Sequence, residues 1–431
     1  MLPTCTLPPQ SLKARGQPLS GKGQTIRSGS LALSLSIDPE RALAGFGEAI
    51  ASDFSTPLPQ ADDSEGADRC FRALLPLCRR AGISRIADLT GLDRLSLPVV
   101  QAVRPGALSE VTSLGRGQSM PEAAVGAVME SLERYYAESI APDRIFLASA
   151  DELKIADGLF ENLLVPGRSA GWRRQTIPWI AALDIFSGSA QAVPLELVHT
   201  RYTDPPPDHD GLFSRTTTGL ACHMAWHLAV AHGIYECIER DAIARAFATH
   251  GFFDRMRIAP FGLGKAVDDI MVLLVERGIS VGFWHAVSPT GVAVVWCQTI
   301  ETGRGEPVLA LPTEGYSAGP NLEAAASSAL LEALATRAGA ISGARDDQTT
   351  GHYRKRTDAV VAKARQLILD QTPFVPVIES CPISNIRNLI DRVMAAGLGP
   401  ALAVPIGADG GAGVHCVRII LPSGRPFSIV R

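Results

Sequence analysis

The chain has 431 residues, enough for one large domain or two ordinary ones, with 46% hydrophobic and 19% charged residues. Its 40 Lys and Arg against 44 Asp and Glu give a net charge of −4, which speaks against non-specific nucleic-acid binding. The eight cysteines contain no Cys-x2-Cys pair and fit reduced thiols in a cytoplasmic protein, and no apolar stretch is long enough for a membrane span.

Residues 1–30 read as a flexible Pro/Gly-punctuated tail, residues 31–105 as an N-terminal helical or α/β region, and residues 106–431 as a core domain with a C-terminal α/β extension. Helices are expected over 38–52 and 67–81, then strands over 98–103 and 108–114. A helix over 120–139 opens on Pro121, a residue suited to a first turn. Strands follow at 177–185 and 192–195, a Pro/Asp loop at 204–211, and a long helix over 221–249. The runs 281–285 and 292–300 have the β-branched and aromatic content of paired strands. Helices over 321–341, 358–369 and 383–396 and strands over 401–405 and 414–421 complete an interleaved α/β (α+β) fold.

Three of these helices repeat one pattern. The first carries Gly126, Glu130, Glu133 and Arg134; the second His232, Glu236, Glu239 and Arg240; the third Ser328, Glu332 and Arg337. At 100° per residue, positions four and seven apart return to nearly the same face, so each glutamate pair lines one side of its helix. Buried carboxylates one turn apart need a cation or a proton between them. Magnesium is the hard cation that suits such oxygens together with phosphates, and Arg134, Arg240 and Arg337 are then placed to contact phosphate oxygens. One Glu/Arg face is commonly just a solvated surface. Recurrence in apolar surroundings favours a site built from Glu130, Glu133, Glu236, Glu239 and Glu332.

With these residues in view, the chain resembles the YcaO family. The matches are SLGRGQS (113–119) leading to MESLERY (129–135), TTTGLA (216–221) leading to YECIERDA (235–242), and ALLEA (329–333) with Arg337 and SGARDD (342–347). The resemblance implies a YcaO-like fold with mixed sheets and Glu-bearing helices as internal repeats. It implies ATP and Mg2+ as cofactors, with Arg116, Arg134, Thr217, Thr218, Arg240, Ser328 and Arg337 around the nucleotide and the five glutamates around the metal. It also implies a ribosomally made precursor peptide as substrate, a cytoplasmic protein, and room for a homodimer. GISRIADLTGLDR (82–94), LPVV (97–100), Arg104 and Pro105 resemble the branch that accompanies TfuA proteins and is linked with thioamide formation. The end RPFSIVR (425–431) lacks the Pro-rich terminus of azoline-forming cyclodehydratases.

The resemblance has specific departures. Gly126 and His232 stand where the first two helices are expected to carry other polar residues, Arg116 replaces Lys, and Thr218 replaces Asn. Ala221, His223, Met224, Leu228 and Ala335 occupy positions that usually serve the nucleotide. A non-catalytic peptide- or partner-binding scaffold is therefore the alternative reading, with an azoline-forming cyclodehydratase third. His223 and His227, four apart, have a metal-chelating spacing that more often belongs to packed or exposed residues. GADGGAG (407–413) lacks the Lys-Ser/Thr ending of a P-loop and is expected to be a turn between strands, and Trp226, Tyr235 and Phe247 are expected in the core.

Overall fold

Apolar alternation and alanine-rich helices divide the chain into three sheets and three long helices that separate them. The computed structural model describes residues 39–59, 64–304, 307–343, 359–369, 374–376 and 382–427. Residues 1–30, Cys5, Cys381 and most of the SGARDD segment lie outside the described residues.

The N-terminal helices are α1 (Pro39–Asp53) and α2 (Ser64–Arg80). An antiparallel sheet follows, β1 (Arg85–Asp88), β2 (Val99–Val103) and β3 (Thr112–Arg116), in that order. Next come α3 (Met120–Glu138), β4 (Ile145–Ala148), β5 (Ile177–Asp184), β6 (Ala190–Pro194), β7 (Leu220–His223) and α4 (Trp226–Phe247). The short α5 (Phe252–Arg255) and β8 (Arg257–Ile258) lead into α6 (Lys265–Glu276), β9 (Ile279–His285), β10 (Ala293–Glu301), β11 (Thr313–Gly319) and α7 (Leu322–Ser342). The chain closes with α8 (Ala359–Leu369), α9 (Ile386–Ala395), β12 (Leu402–Asp409) and β13 (Val414–Ile420).

A four-stranded antiparallel sheet has the order β11-β10-β9-β8, and a six-stranded sheet has the order β4-β5-β12-β13-β7 with β6 beside β5. Alternate residues of each strand point to opposite faces, and each of the three long helices fills the space between two sheets. Val100 and Ala102 of β2 share one apolar cluster with Ala123 and Ala127 of α3 and with Cys222, Val404 and Cys416 of the six-stranded sheet. On that sheet's other face, Ala221, Val417 and Ile419 pack with Ile234 and Ile238 of α4, which also meet Trp284 and Trp296 of the four-stranded sheet. Val295 and Cys297 face α7 through Ala329 and Ala333, and Val99 of the first sheet meets α7 again at Ala335 and Ala338. A helix covered on two sides must be apolar nearly all round, which is why α4 and α7 are rich in Ala, Ile and Leu.

The helix ends follow their capping chemistry. The Ser119 side chain accepts from the Glu122 amide and Pro121 sits in the first turn of α3, while Asn321 and Asn385 cap α7 and α9. The asparagine caps explain why α9 starts at Ile386 rather than at 383.

Several expectations are corrected. The helix expected over 221–249 is a strand followed by a helix: β7 pairs with β13, and α4 begins only at Trp226. Cross-strand pairing outweighs the helical propensity of this Ala-containing stretch. His223 therefore lies on a strand, opposite His415, and does not share a helix with His227. The strand expected at 108–114 starts at Thr112, because the Glu138 carboxylate accepts the Leu108 and Ser109 amides and holds the preceding segment in a turn. Phe247 is 44% exposed and is not a core residue, whereas Trp226 and Tyr235 are half-buried against the main cluster. Strand β11 and helix α6 were not expected. The 407–413 segment spans the end of β12 and the turn into β13.

Candidate functional site

Each of the three sheets has an edge strand whose outward amides find no neighbouring strand, namely β3, β7 and β11. The glutamates of the long helices take those amides. Glu130 accepts from the Leu114 amide (3.1 Å), Glu133 from Cys222 (2.9 Å), and Glu332 from Tyr316 (3.3 Å). Glu236 accepts from the Gly219 amide (2.9 Å), just ahead of β7. Three separate elements of sequence are thereby drawn to one centre.

Two glycines permit this approach. A Cβ on Gly115 would stand 1.9 Å from the Ala123 carbonyl, and one on Gly315 would stand 2.1 Å from the Ala329 carbonyl. Only glycine lets α3 close on β3 and α7 close on β11 near enough for Glu130 and Glu332 to reach the strand backbone.

The electrostatics are those of an incompletely neutralised carboxylate cluster. Burial raises the Glu133 carboxyl well above the ordinary range, and Glu130 and Glu236 push it further up. Glu130 and Glu236 are raised mainly by burial as well, against the pull of Arg134 and Arg240 respectively. Glu239 is pushed up to about 8 by burial, with Glu332 and Glu236 adding to the shift and Arg240 opposing it. The side chains of Glu130 and Glu332 still keep 37% and 28% of their surface, so these two carboxylates remain accessible to solvent.

The expected cations divide into two kinds. Arg116 lies 3.4 Å from Glu332, and Arg240 lies 3.7 Å from Glu236 and 3.5 Å from Glu239, all loose contacts inside the cluster. Arg134 is buried against its own strand: it donates to the Thr112 carbonyl and the Ser113 hydroxyl and pairs with Glu130 and Glu110. Arg337 is 2% exposed and faces away from the glutamates, into Asp93 and Glu301. The structure thus sets Arg116 and Arg240 loosely against Glu332, Glu236 and Glu239, and commits Arg134 and Arg337 to fixed ion pairs, that of Arg134 including Glu130 of the same cluster.

Thr218 closes a tight turn, its amide donating to the Thr216 hydroxyl (3.1 Å), while the Thr217 carbonyl accepts from Leu220. Arg418 and Tyr202 both donate to the Thr216 carbonyl and fix this turn next to Glu236. Ser328 lies one helical turn before Glu332, half-buried. His232 occupies the equivalent place before Glu236 and is exposed. His223 is brought down to about 4, by burial first and then by His232 and His227.

Magnesium fits this donor set. The available ligands are oxygens, and among the described ion pairs none reaches Glu133, whose carboxyl burial raises well above the ordinary range. Among the described residues no group of three or more His, Cys, Asp or Glu side chains is preassembled to hold a metal ion. The same observation gives no support to a transition-metal centre at His223 and His227.

A family model described as YcaO cyclodehydratase, ATP- and Mg2+-binding, matches residues 114–425. The chain belongs to the YcaO family. ATP and Mg2+ are the cofactors of that family. Among relatives, a Methanothermobacter thermautotrophicus protein is 30% identical over 363 residues, covering 81% of this chain and 91% of its own. A Rhizobium leguminosarum bv. trifolii protein encoded in the tfuA 3′ region is 30% identical over 366 residues, covering 82% and 86%. The fold is similar to that of YcaO from Methanopyrus kandleri bound with AMPPCP and Mg2+, with a TM-score of 0.60, 22% identity, and 83% and 90% of the two chains covered. It is also similar to a heterocyclase in complex with substrate and cofactor, with a TM-score of 0.62, 15% identity, and 88% and 56% covered.

Proposed function

We propose that this YcaO protein uses ATP and Mg2+ to activate backbone amides of a ribosomally synthesised peptide, and that its product is a thioamide made with a TfuA-like partner. The observation that carries the reading is the convergence of five glutamates and two loosely held arginines at the meeting point of three edge strands. The thioamide branch is supported by the 82–105 motif and by the relative encoded beside tfuA.

When bound, ATP would supply the phosphoryl group that turns an amide oxygen into a leaving group after a sulfur nucleophile has added, and Mg2+ would neutralise the phosphates. The protein's own contribution is positional and electrostatic. Glu130, Glu133, Glu236, Glu239 and Glu332 would hold the cations, the first three and Glu332 oriented by the backbone amides that donate to them. Arg116 and Arg240, not tied up in short ion pairs, would meet phosphate oxygens. Arg134 and Arg337 would act one step back, by fixing α3 on β3 and α7 on the loop around Asp93.

A scaffold without catalysis is the second reading. It is favoured by the two arginines spent on structure and by Ala221, Met224 and Leu228 near the nucleotide side. Incubating the protein with a candidate precursor peptide, ATP, Mg2+, sulfide and the TfuA-like protein separates the readings by mass spectrometry. Exchange of one oxygen for sulfur supports thioamidation, and loss of water makes the protein an azoline-forming enzyme. A peptide that binds but is unchanged, with no ATP consumed, leaves the scaffold.

A further inference from the structure

Arg240 faces two of the clustered glutamates, yet its carboxylate contacts of 3.5 and 3.7 Å are longer than ordinary charge-assisted hydrogen bonds. Something other than Glu236 and Glu239 must define where its guanidinium sits. The Tyr316 ring lies under it, 5.9 Å from the guanidinium carbon to the ring centroid. That ring is itself fixed on three sides. It stacks on Trp296 at 12° and 6.3 Å, it meets the edge of Phe427, and its hydroxyl donates to Glu314 at 2.5 Å. Glu314 in turn accepts from the Gln298 amide at 3.1 Å, so the acceptor is anchored by the neighbouring strand.

The same residue also reaches the third glutamate helix. The Tyr316 amide donates to Glu332, while Gly315 beside it lets α7 approach. One residue of an edge strand therefore touches the charged groups of both α4 and α7. We propose that Tyr316, locked by Glu314, is the positioning residue that sets Arg240 and Glu332 relative to each other at the phosphate side of the site. This rests on reading the glutamate cluster as a Mg·ATP site. Tyr316 is 5% exposed and acts through Arg240 and Glu332, without contact with the reacting atoms.

The test is a double-mutant cycle on binding of a non-hydrolysable ATP analogue with Mg2+, measured by calorimetry on the full chain. Wild type, Tyr316→Leu, Arg240→Lys and the double variant are compared, together with their thermal unfolding midpoints. A guanidinium over an aromatic ring accounts for roughly 2- to 30-fold in affinity, so Tyr316→Leu should weaken binding by that range. Arg240→Lys should do the same, and the double variant should bind no worse than the weaker single variant. Tyr316→Phe, which keeps the ring and loses only the hydroxyl held by Glu314, should bind about twofold to tenfold more weakly than wild type, matching Glu314→Gln. If Tyr316→Leu does not fold, Glu314→Gln tests the clamp, with binding about twofold to tenfold weaker at an unchanged midpoint. Losses that simply add, or an affinity unmoved by any Tyr316 or Glu314 substitution, overturn the role of Tyr316 alone. Absence of Mg·ATP binding by the wild type overturns both this proposal and the reading of the site.

Discussion

Helix α7 carries two charged side chains, five residues apart, into two unlike environments. Arg337 enters a closed network: it pairs with Asp93 at 2.8 Å and with Glu301 at 2.6 Å, while Arg94 also reaches Glu301 at 2.8 Å. Burial pushes Glu301 up, but the Leu309 amide, Arg337 and the Val308 amide outweigh it and leave the carboxyl below its ordinary value. Glu332 enters the opposite situation, a group of five carboxylates met by loosely placed arginines, where Glu239 rises to about 8. A buried charge whose valences are all filled fixes structure. A buried charge left partly unfilled is arranged for something that is still to bind.

The largest expected effect comes from breaking the closed network. Glu301→Ala leaves Arg337 buried beside an incomplete set of acceptors and should cost about 3–5 kcal/mol of stability, read from urea unfolding. Glu133→Gln in the open cluster should cost no stability, because it removes repulsion. If the two substitutions destabilise equally, the distinction between the networks fails.

Crowding the close contact between α3 and β3 comes next. Gly115→Ala forces a methyl into the α3 backbone and should cost about 1–3 kcal/mol. It should also weaken Mg2+ binding by moving Glu130 off the Leu114 amide. A variant with wild-type stability and wild-type Mg2+ affinity would contradict the close-approach role of Gly115.

A smaller effect concerns pH. Glu239 has a folded-state value of about 8 against an ordinary value of 4.5, so the folded state favours its protonated form. Its contribution is fully present below about pH 4.5 and is lost as pH rises through about 8. Without Mg2+ the protein should therefore lose stability across that window, and Glu239→Gln should flatten the loss. Adding Mg2+ should restore more stability at pH 8.5 than at pH 6, with proton release visible as a buffer-dependent binding enthalpy. Parallel pH profiles for wild type and Glu239→Gln would remove Glu239 from the cluster.

Helical periodicity alone places Glu130 with Glu133 and Glu236 with Glu239 on one face of their helices. The elements that position the cluster were harder to read. Residues 220–223 have helix-forming neighbours, and only the pairing with β13, nearly two hundred residues later, makes them a strand. The arginines could not be sorted either: Arg240 and Arg337 both follow a helical glutamate, and only the distant Asp93 and Glu301 assign Arg337 to structure. Tyr316 and Glu314 were missed with their strand. The signal that points to them is local, a Thr-x-Gly strand ahead of α7 like the Thr-x2-Gly strand ahead of α3.

The central claim is that the open carboxylate cluster binds Mg2+ together with a nucleotide. Calorimetric titration of a non-hydrolysable ATP analogue into wild type and Glu133→Gln, each with and without Mg2+, tests it most directly. The account predicts Mg2+-dependent binding to the wild type, weakened at least about tenfold by Glu133→Gln, with both proteins equally folded. Binding that ignores Mg2+ or ignores the substitution would contradict it.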